Sequence, residues 1–222
     1  MNIIARIHTD FETKFGVPRQ SGLVDTAATV VFEPPYRVAD AVRGLEEFSH
    51  IWLIWQFSEA VRDNWSPTVR PPMLGGNTRM GVFATRSPFR PNPIGLSCVR
   101  LERVELSDSL GPVLHVTGAD LMDGTPIYDI KPYLPYTDAH PEAASGFAGT
   151  VRDRTVRVND PSDLLAAVPA EKREALLRVL ASDPRPTYQH DPERVYGFGF
   201  AGCEIRFSVD SGVLTVVEVL SK

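Results

Sequence analysis

Cysteine is scarce in this chain. The two that occur, Cys98 and Cys203, stand far apart with no metal-ligand spacing around either. That excludes a disulfide framework and fits buried thiols in a reduced compartment, the cytoplasm. Long apolar runs are missing as well. None approaches the roughly 20 residues that a membrane helix needs, and no charged segment followed by an apolar stretch opens the chain, so neither a membrane span nor a signal peptide is expected. No internal repeat is evident. No Gly-x-Gly-x-x-Gly stands between a strand and a helix, no His/Cys cluster has zinc spacing, and no Gly-x-Ser-x-Gly occurs. A Rossmann-type cofactor site, metal-assisted hydrolysis and a nucleophile-elbow hydrolase therefore lose support. Positive charge is not in excess, since the net charge is −5. That argues against nonspecific coating of nucleic acid but leaves room for a local basic face.

What is present describes an ordinary globular protein of 222 residues, 43% hydrophobic and 23% charged, long enough for one large domain or one domain with a smaller companion. Strand-like segments dominate its first part: Met1 to His8, the β-branched Ala27 to Phe32, the apolar Phe48 to Phe57, Leu96 to Leu106, and Val113 to Ala119 after a hairpin at Asp108 to Gly111. Arg37 to Glu47 carries Val38, Ala41, Val42 and Leu45 at helical spacing and predicts a short helix. The expected fold is mainly β, an antiparallel barrel or curled sheet over residues 1–138. From residue 139 the character changes. Ala139 to Ala148 is small and polar, Val151 to Val158 alternates, short helices follow Asp160 and Val168, and closing strands are expected at Val195 to Phe200, Glu204 to Val209 and Leu214 to Leu220. Residues 139–222 thus read as a small α+β C-terminal domain.

The chemistry concentrates in loops. Arg79 to Ser97 holds three arginines, three prolines and an asparagine, with Gly81 and Gly95 near its two ends. Each proline forbids helix and pushes its predecessor toward an extended conformation, so Arg86, Arg90 and Asn92 are presented from a stiff frame. Lys14 to Leu23 is a second such loop, with Arg19 and Gln20 among Gly16, Pro18 and Gly22. Asp120 to Tyr136 is a third, with a turn at Asp123-Gly124 and with Asp129, Lys131, Tyr133 and Tyr136 interspersed among prolines. Asp183 to Tyr188 again sets an arginine, Arg185, between prolines. Seven arginines but only two acids, Asp63 and Glu102, fall between Arg62 and Arg103. A face of that kind suits a polyanion such as an RNA backbone, although a solvated face paired elsewhere in the fold is the competing reading. His50, at the head of the most apolar strand, reads first as a structural histidine and second as a catalytic one.

Taken together, Lys14–Leu23, Ala39–His50, Arg79–Ser97, Asp123–Pro135 and Asp183–Tyr188 resemble the tRNA adenine methyltransferase family known as TrmO or YaeB. The resemblance covers nearly the whole chain apart from residues 139–158. It implies an all-β barrel N-terminal domain, a smaller C-terminal domain and a homodimer. It also implies methyl transfer from S-adenosylmethionine to the exocyclic amine of a threonylcarbamoylated adenosine beside a tRNA anticodon. Carried over position by position, the cofactor contacts are Pro18, Arg19 and Gln20, then Arg86, Leu96, and the turn Asp123, Gly124, Thr125 and Pro126. Where relatives often place a histidine after the apolar strand, this chain has Ser58 followed by Glu59, whose backbone groups could still serve.

The residues themselves suggest positioning chemistry. A sulfonium cofactor needs carbonyls, carboxylates or aromatic faces near its sulfur, and cation–π contact contributes about 0.5–2 kcal/mol. The adenine amine is a weak nucleophile, so an oxygen that accepts its hydrogen would help. Asn92, between Pro91 and Pro93, is the first such acceptor, with Asp129 and Tyr133 as alternatives. Arg90, Lys131, Arg185 and Tyr188 are the expected tRNA contacts, with the arginines of Arg62 to Arg103 and Arg185 on phosphate. No metal is expected. A module that binds S-adenosylmethionine or RNA without catalysis is the alternative.

Overall fold

A computed structural model describes residues 1–151, 155–185, 189 and 191–222. Six antiparallel strands close a barrel in the order β1-β2-β7-β6-β3-β8, with β8 returning to β1. They are β1 (Ala5–His8), β2 (Ala27–Phe32), β3 (His50–Gln56), β6 (Ile94–Ser107), β7 (Gly111–Thr117) and β8 (Pro126–Pro132); a small ribbon, β4 (Thr68–Val69) with β5 (Met80–Gly81), lies between β3 and β6. Period-2 alternation decides which side chains face in. Ile7, Val30, Ile51, Leu53, Val99, Leu114 and Ile127 fill the interior, each at most 1% exposed, and burying each contributes about 1.5–3 kcal/mol. Closure leaves no sheet edge to pair with another chain.

Two expectations change. The segment Arg37 to Glu47 is not one helix but two 3-10 turns, Ala39–Val42 and Leu45–Glu47. Between them Gly44 takes φ 83, a left-handed conformation that ends a helix. Also, the polar stretch after Asp123 supplies a full strand, β8. Its prolines stand at its two ends, where a missing donor costs least.

The C-terminal part holds a four-stranded sheet, β10 (Tyr196–Phe200), β11 (Cys203–Asp210), β12 (Val213–Ser221) and β9 (Arg157–Asn159) in that order, with β9 parallel to β12. Before β9 there is a single helical turn, α1 (Pro135–Asp138), and after it a longer helix, α2 (Ala170–Ala181), opened by Pro169. The strand expected over Val151 to Val158 begins only at Arg157, and residues 152–154 lie outside the described ones. Gly197-Phe-Gly199-Phe-Ala-Gly202 has the spacing of a dinucleotide loop, but it forms the β10–β11 hairpin and opens no helix.

The second core has a donor from the first part of the chain. Phe11 and Val24, with Phe15 and Val17 beside them, pack among Phe198, Phe200 and Phe207 rather than inside the barrel. Phe11 pairs with Phe200 as an isolated bridge, their rings 5.4 Å apart. The long excursion after β1 is therefore pinned to the C-terminal sheet.

Candidate functional site

One end of the barrel collects the loops. Strands β1, β3 and β7 end there and β2, β6 and β8 begin there, so segments 9–26, 57–93 and 118–125 all leave the same rim. At that rim Trp55 of β3 lies over Gly95 of β6, where a Cβ would come 2.6 Å from the indole Cδ2. The indole Nε1 donates to Ser97 Oγ at 2.9 Å, and Ser97 Oγ donates to Asp120 Oδ1 at 2.5 Å. Ser97 is fully buried. Burial pushes the Asp120 carboxyl upward, against the Ser97 hydroxyl, the nearby Arg86 guanidinium and the Ser21 backbone N–H, which all favour its charged form.

Around this carboxylate the proline-stiffened loops meet. Arg86 donates to Gln20 Oε1. Gln20 Nε2 donates to the Arg19 carbonyl at 2.5 Å. Arg19 Nη2 donates to the Asp183 carbonyl at 2.7 Å and lies 3.3 Å from that of Arg185, which joins the rim to the C-terminal unit. Gln20 and Arg86 are thus in contact, with Pro18 and Arg19 beside Gln20 in the same loop and the Arg19 guanidinium turned to the C-terminal unit. Asp120 and Ser97 were not singled out from the sequence. The only available signal was an acid placed directly after a strand, at the head of the third unusual loop.

The remaining expected residues divide between the rim and one outer wall. Ser58 and Glu59 are exposed on the 3-10 turn that follows β3. Asn92 is exposed, its carbonyl takes the Ile94 N–H at 2.8 Å, and its side-chain amide has no hydrogen bond among the described residues. Arg90 clamps its own loop, donating to the Thr85 carbonyl at 3.0 Å. Asp123 is tied to the β1 side of the rim through the Thr9 N–H at 3.1 Å and His8 Nδ1 at 3.2 Å. Gly124 N–H reaches the Ile7 carbonyl at 2.9 Å, Thr125 bonds back to Met122, and Pro126 is buried at the head of β8.

Leu96, Asp129, Lys131 and Tyr133 sit on the outer wall of β6, β3 and β8. Leu96 and Asp129 flank Ile54 on either side in register, with Leu96 54% exposed. Asp129 pairs with Lys131 at 2.9 Å. Tyr133 packs against Trp52 and His50, with ring centroids 5.7 and 6.1 Å away. The length of β3 separates Tyr133 from Asn92 by about 20 Å. Asn92 and Tyr133 are therefore not neighbours within one chain. His50 itself bonds Ser49 and has this aromatic setting, a structural role.

The arginine-rich stretch splits likewise. Arg62, Arg70, Arg79, Arg86 and Arg90 lie in the rim loop, while Arg100 and Arg103 lie on β6 and pair with Glu102 and Glu105. Arg185 is half-buried, and its Nε and Nη2 engage Asp183 at 2.8 and 3.0 Å. The expected phosphate contact there meets a guanidinium fork that is already occupied. Tyr188 lies outside the described residues. Among the described residues no His, Cys, Asp and Glu group could hold a metal ion, and no helix is long and apolar enough to cross a membrane.

Comparison with known proteins agrees with this arrangement. Residues 6–139 match the model of the tRNA-methyltransferase O N-terminal domain, and residues 162–222 match that of the TrmO C-terminal domain. The tRNA (adenine(37)-N6)-methyltransferase of Escherichia coli strain K12 is 44% identical over 220 residues, 94% of this chain and 93% of its own. A Pseudomonas aeruginosa protein named RcsF, a candidate S-adenosylmethionine-dependent methyltransferase by its name, is 42% identical over 202 residues, 87% of this chain and 85% of its own. A crystal structure of TrmO from Pseudomonas aeruginosa superposes with a TM-score of 0.77 at 32% identity, covering 100% of both chains. The two family models span most of the chain in the order of its two cores, and on that ground the chain belongs to the tRNA-methyltransferase O family.

Proposed function

We propose that this protein is an S-adenosylmethionine-dependent tRNA methyltransferase. It methylates the exocyclic nitrogen of adenosine 37, threonylcarbamoylated and next to the anticodon. The observation that carries this is the convergence, at one barrel rim, of three loops distant in sequence, joined by the Arg86–Gln20 hydrogen bond and by the Gly22 N–H on the Gly118 carbonyl. The residues suit the cofactor. A buried carboxylate favours a nearby cation, Gln20 and Arg86 offer directed polar groups, and Leu96 offers exposed apolar surface. When bound, S-adenosylmethionine supplies a methyl group on a cationic sulfur. The Pro18–Gln20 loop, Arg86, Ser58, Glu59 and the Asp123–Pro126 turn hold it. Asn92, with its amide uncommitted, accepts an amine hydrogen and orients the nitrogen lone pair. An amide oxygen cannot take up a whole proton, so that proton leaves to solvent or to Asp129. Alignment alone is worth several kcal/mol, about 7–11 at the limit.

The tRNA lies along the rim arginines, with Arg90, Lys131, Arg185 and Tyr188 around it. Two units, 1–138 and 139–222, divide the work, a reading supported by the separate cores and by the spans of the two family models. The protein works in the cytoplasm as a homodimer. Support for the dimer comes from the apolar surface of the rim loop, where Phe83 is 72% and Trp65 51% exposed, an arrangement that marks interaction sites. A dimer would also let the outer-wall residues of one copy approach the rim of the other. The test is digestion and mass analysis of tRNA nucleosides after incubation with protein and S-adenosylmethionine. A methylated threonylcarbamoyl-adenosine is expected, and none from tRNA lacking the threonylcarbamoyl group. Cofactor binding without any methylated nucleoside would favour the non-catalytic alternative.

A further inference from the structure

The chain makes an unusual turn just past α2. Ser182 caps the helix, and Asp183 follows in the left-handed region at φ 51. That position normally falls to glycine, because a Cβ there costs free energy. Pro184 comes next and restricts its predecessor further. Asparagine tolerates the conformation too. What glycine and asparagine lack is a pair of equivalent acceptors. Asp183 uses both of its oxygens: Oδ1 accepts from Arg185 Nε at 2.8 Å, and Oδ2 accepts from Arg185 Nη2 at 3.0 Å. This fork closes over a single residue, with the Asp183 and Arg185 side chains only 20% and 12% exposed. A two-pronged, charge-assisted pairing fixes geometry as well as adding energy.

The backbone of the same turn serves a partner 164 positions away. Arg19 Nη2 donates to the Asp183 carbonyl at 2.7 Å and lies 3.3 Å from the Arg185 carbonyl. Two carbonyls of one turn can meet one guanidinium nitrogen only while the turn keeps its shape. Arg19 leads on to Gln20, whose Nε2 donates to the Arg19 carbonyl at 2.5 Å and whose Oε1 accepts from Arg86. A continuous run of contacts thus joins Arg185, Asp183, Arg19, Gln20 and Arg86. We propose that Asp183 is a positioning residue of the cofactor site. Its carboxylate locks the turn whose carbonyls hold Arg19, and through Arg19 it sets the Pro18–Gln20 loop against Arg86. This rests on the cofactor assignment above. A loop fixed beforehand has less freedom to lose when S-adenosylmethionine binds, so the lock strengthens binding without touching the ligand.

Asp183→Gly separates this role from helix capping, because it relieves the left-handed backbone while removing the fork. The experiment is calorimetric titration of S-adenosylmethionine into wild type, Asp183→Gly, Arg19→Ala and the double variant, at a temperature well below the melting point of each. Hydrogen exchange of the backbone amides of residues 16–22, without cofactor, is the second readout. Asp183→Gly is expected to weaken binding about tenfold or more and to speed that exchange. The double variant should bind no worse than Arg19→Ala alone, because a residue acting through Arg19 has nothing left to act on. Wild-type affinity in Asp183→Gly, unchanged exchange, or additive losses in the double variant overturn the inference. Should Asp183→Gly fail to fold, Arg185→Ala opens the fork from its other side, and unchanged affinity there also overturns the inference. Exchange that rises in Asp183→Gly while wild type binds no cofactor would instead sink the cofactor assignment, so the two failures are distinguishable.

Discussion

Replacing Gly95 by alanine should disturb both the barrel and the rim, and its cost follows from one overlap. The Gly95 Cα sits beneath the Trp55 indole, and a Cβ there would be 2.6 Å from Cδ2 and nearer still to two other ring carbons. Trp55 is 6% exposed and sits in the closed wall of the barrel, so it has no free space to move into. Overpacking of this kind costs about 1–3 kcal/mol. Tilting the ring also pulls Nε1 from Ser97, a hydrogen bond of net worth about 0.5–1.5 kcal/mol. Against this, alanine is more favourable than glycine within a strand by about 0.5–1 kcal/mol. The balance is a loss of about 2 kcal/mol, within bounds of about 0.5–4, or roughly 4–8 °C in melting temperature at the central value for a chain of this length. Differential scanning calorimetry reads it directly. The same substitution in a Trp55→Leu background should cost little, since the overlap is gone. A Gly95→Ala protein that melts as wild type would refute the reasoning, and so would an equal loss in both backgrounds.

Asn92→Ala should lower the single-turnover methylation rate on the order of 10² while leaving S-adenosylmethionine affinity unchanged; a wild-type rate ends the orienting role. Arg70, exposed and without an ion pair among the described residues, should contribute to the salt dependence of tRNA binding, so Arg70→Ala should flatten the slope by about 0.7–0.9. Arg185→Ala should lower the melting temperature by leaving Asp183 unpaired, and weakened tRNA binding with an unchanged salt slope would show that Arg185 shapes its loop and does not touch phosphate. Wild type should also gain stability relative to Asp120→Asn as the pH falls. The folded state holds the Asp120 proton more tightly than the unfolded chain, so the cost of its charge is present at neutral pH and fades on acidification through the raised value. Melting curves of both proteins between neutral and acidic pH measure the gap, and a constant gap would contradict the sign.

Much of the barrel was legible because its strands carry period-2 alternation with β-branched or aromatic residues inside, as in Ala27 to Phe32 and His50 to Gln56. The helix expected at Arg37 to Glu47 was misread because Val38, Ala41, Val42 and Leu45 have helical spacing while Gly44 imposes a left-handed break that spacing does not register. Strand β8 was hidden because Asp129 and Lys131 are polar and sit on the outer wall, while the inward contribution comes from Pro126, Ile127 and Ile130. In the site, prolines and glycines advertised the loops that hold Arg19, Gln20 and Arg86. Nothing local advertised Asp120 or Ser97. Ser97 is the fourth residue of β6 and Asp120 lies three past the end of β7, and they acquire their setting from partners 23 to 42 positions away.

The C-terminal unit reaches the rim by way of the excursion between β1 and β2. Phe11 and Val24 bury themselves in the second core at opposite ends of that excursion, so the intervening Pro18, Arg19, Gln20 and Ser21 are held by the C-terminal sheet as well as by the barrel loops, where Gly22 N–H meets the Gly118 carbonyl at 2.9 Å. Gly16, at φ 98, sits against the Phe198 ring and turns the chain there, where a side chain would collide with that ring. Arg19 then returns the connection, donating to the Asp183 carbonyl just past α2. The barrel alone provides Trp55, Ser97, Asp120 and Arg86, which is half of the cluster. The other half is placed by packing that belongs to the second unit. A loop anchored in this way cannot keep its geometry when the second core loosens, even if the barrel stays intact. The smaller unit is on these grounds a structural component of the rim cluster that holds Arg19 and Gln20.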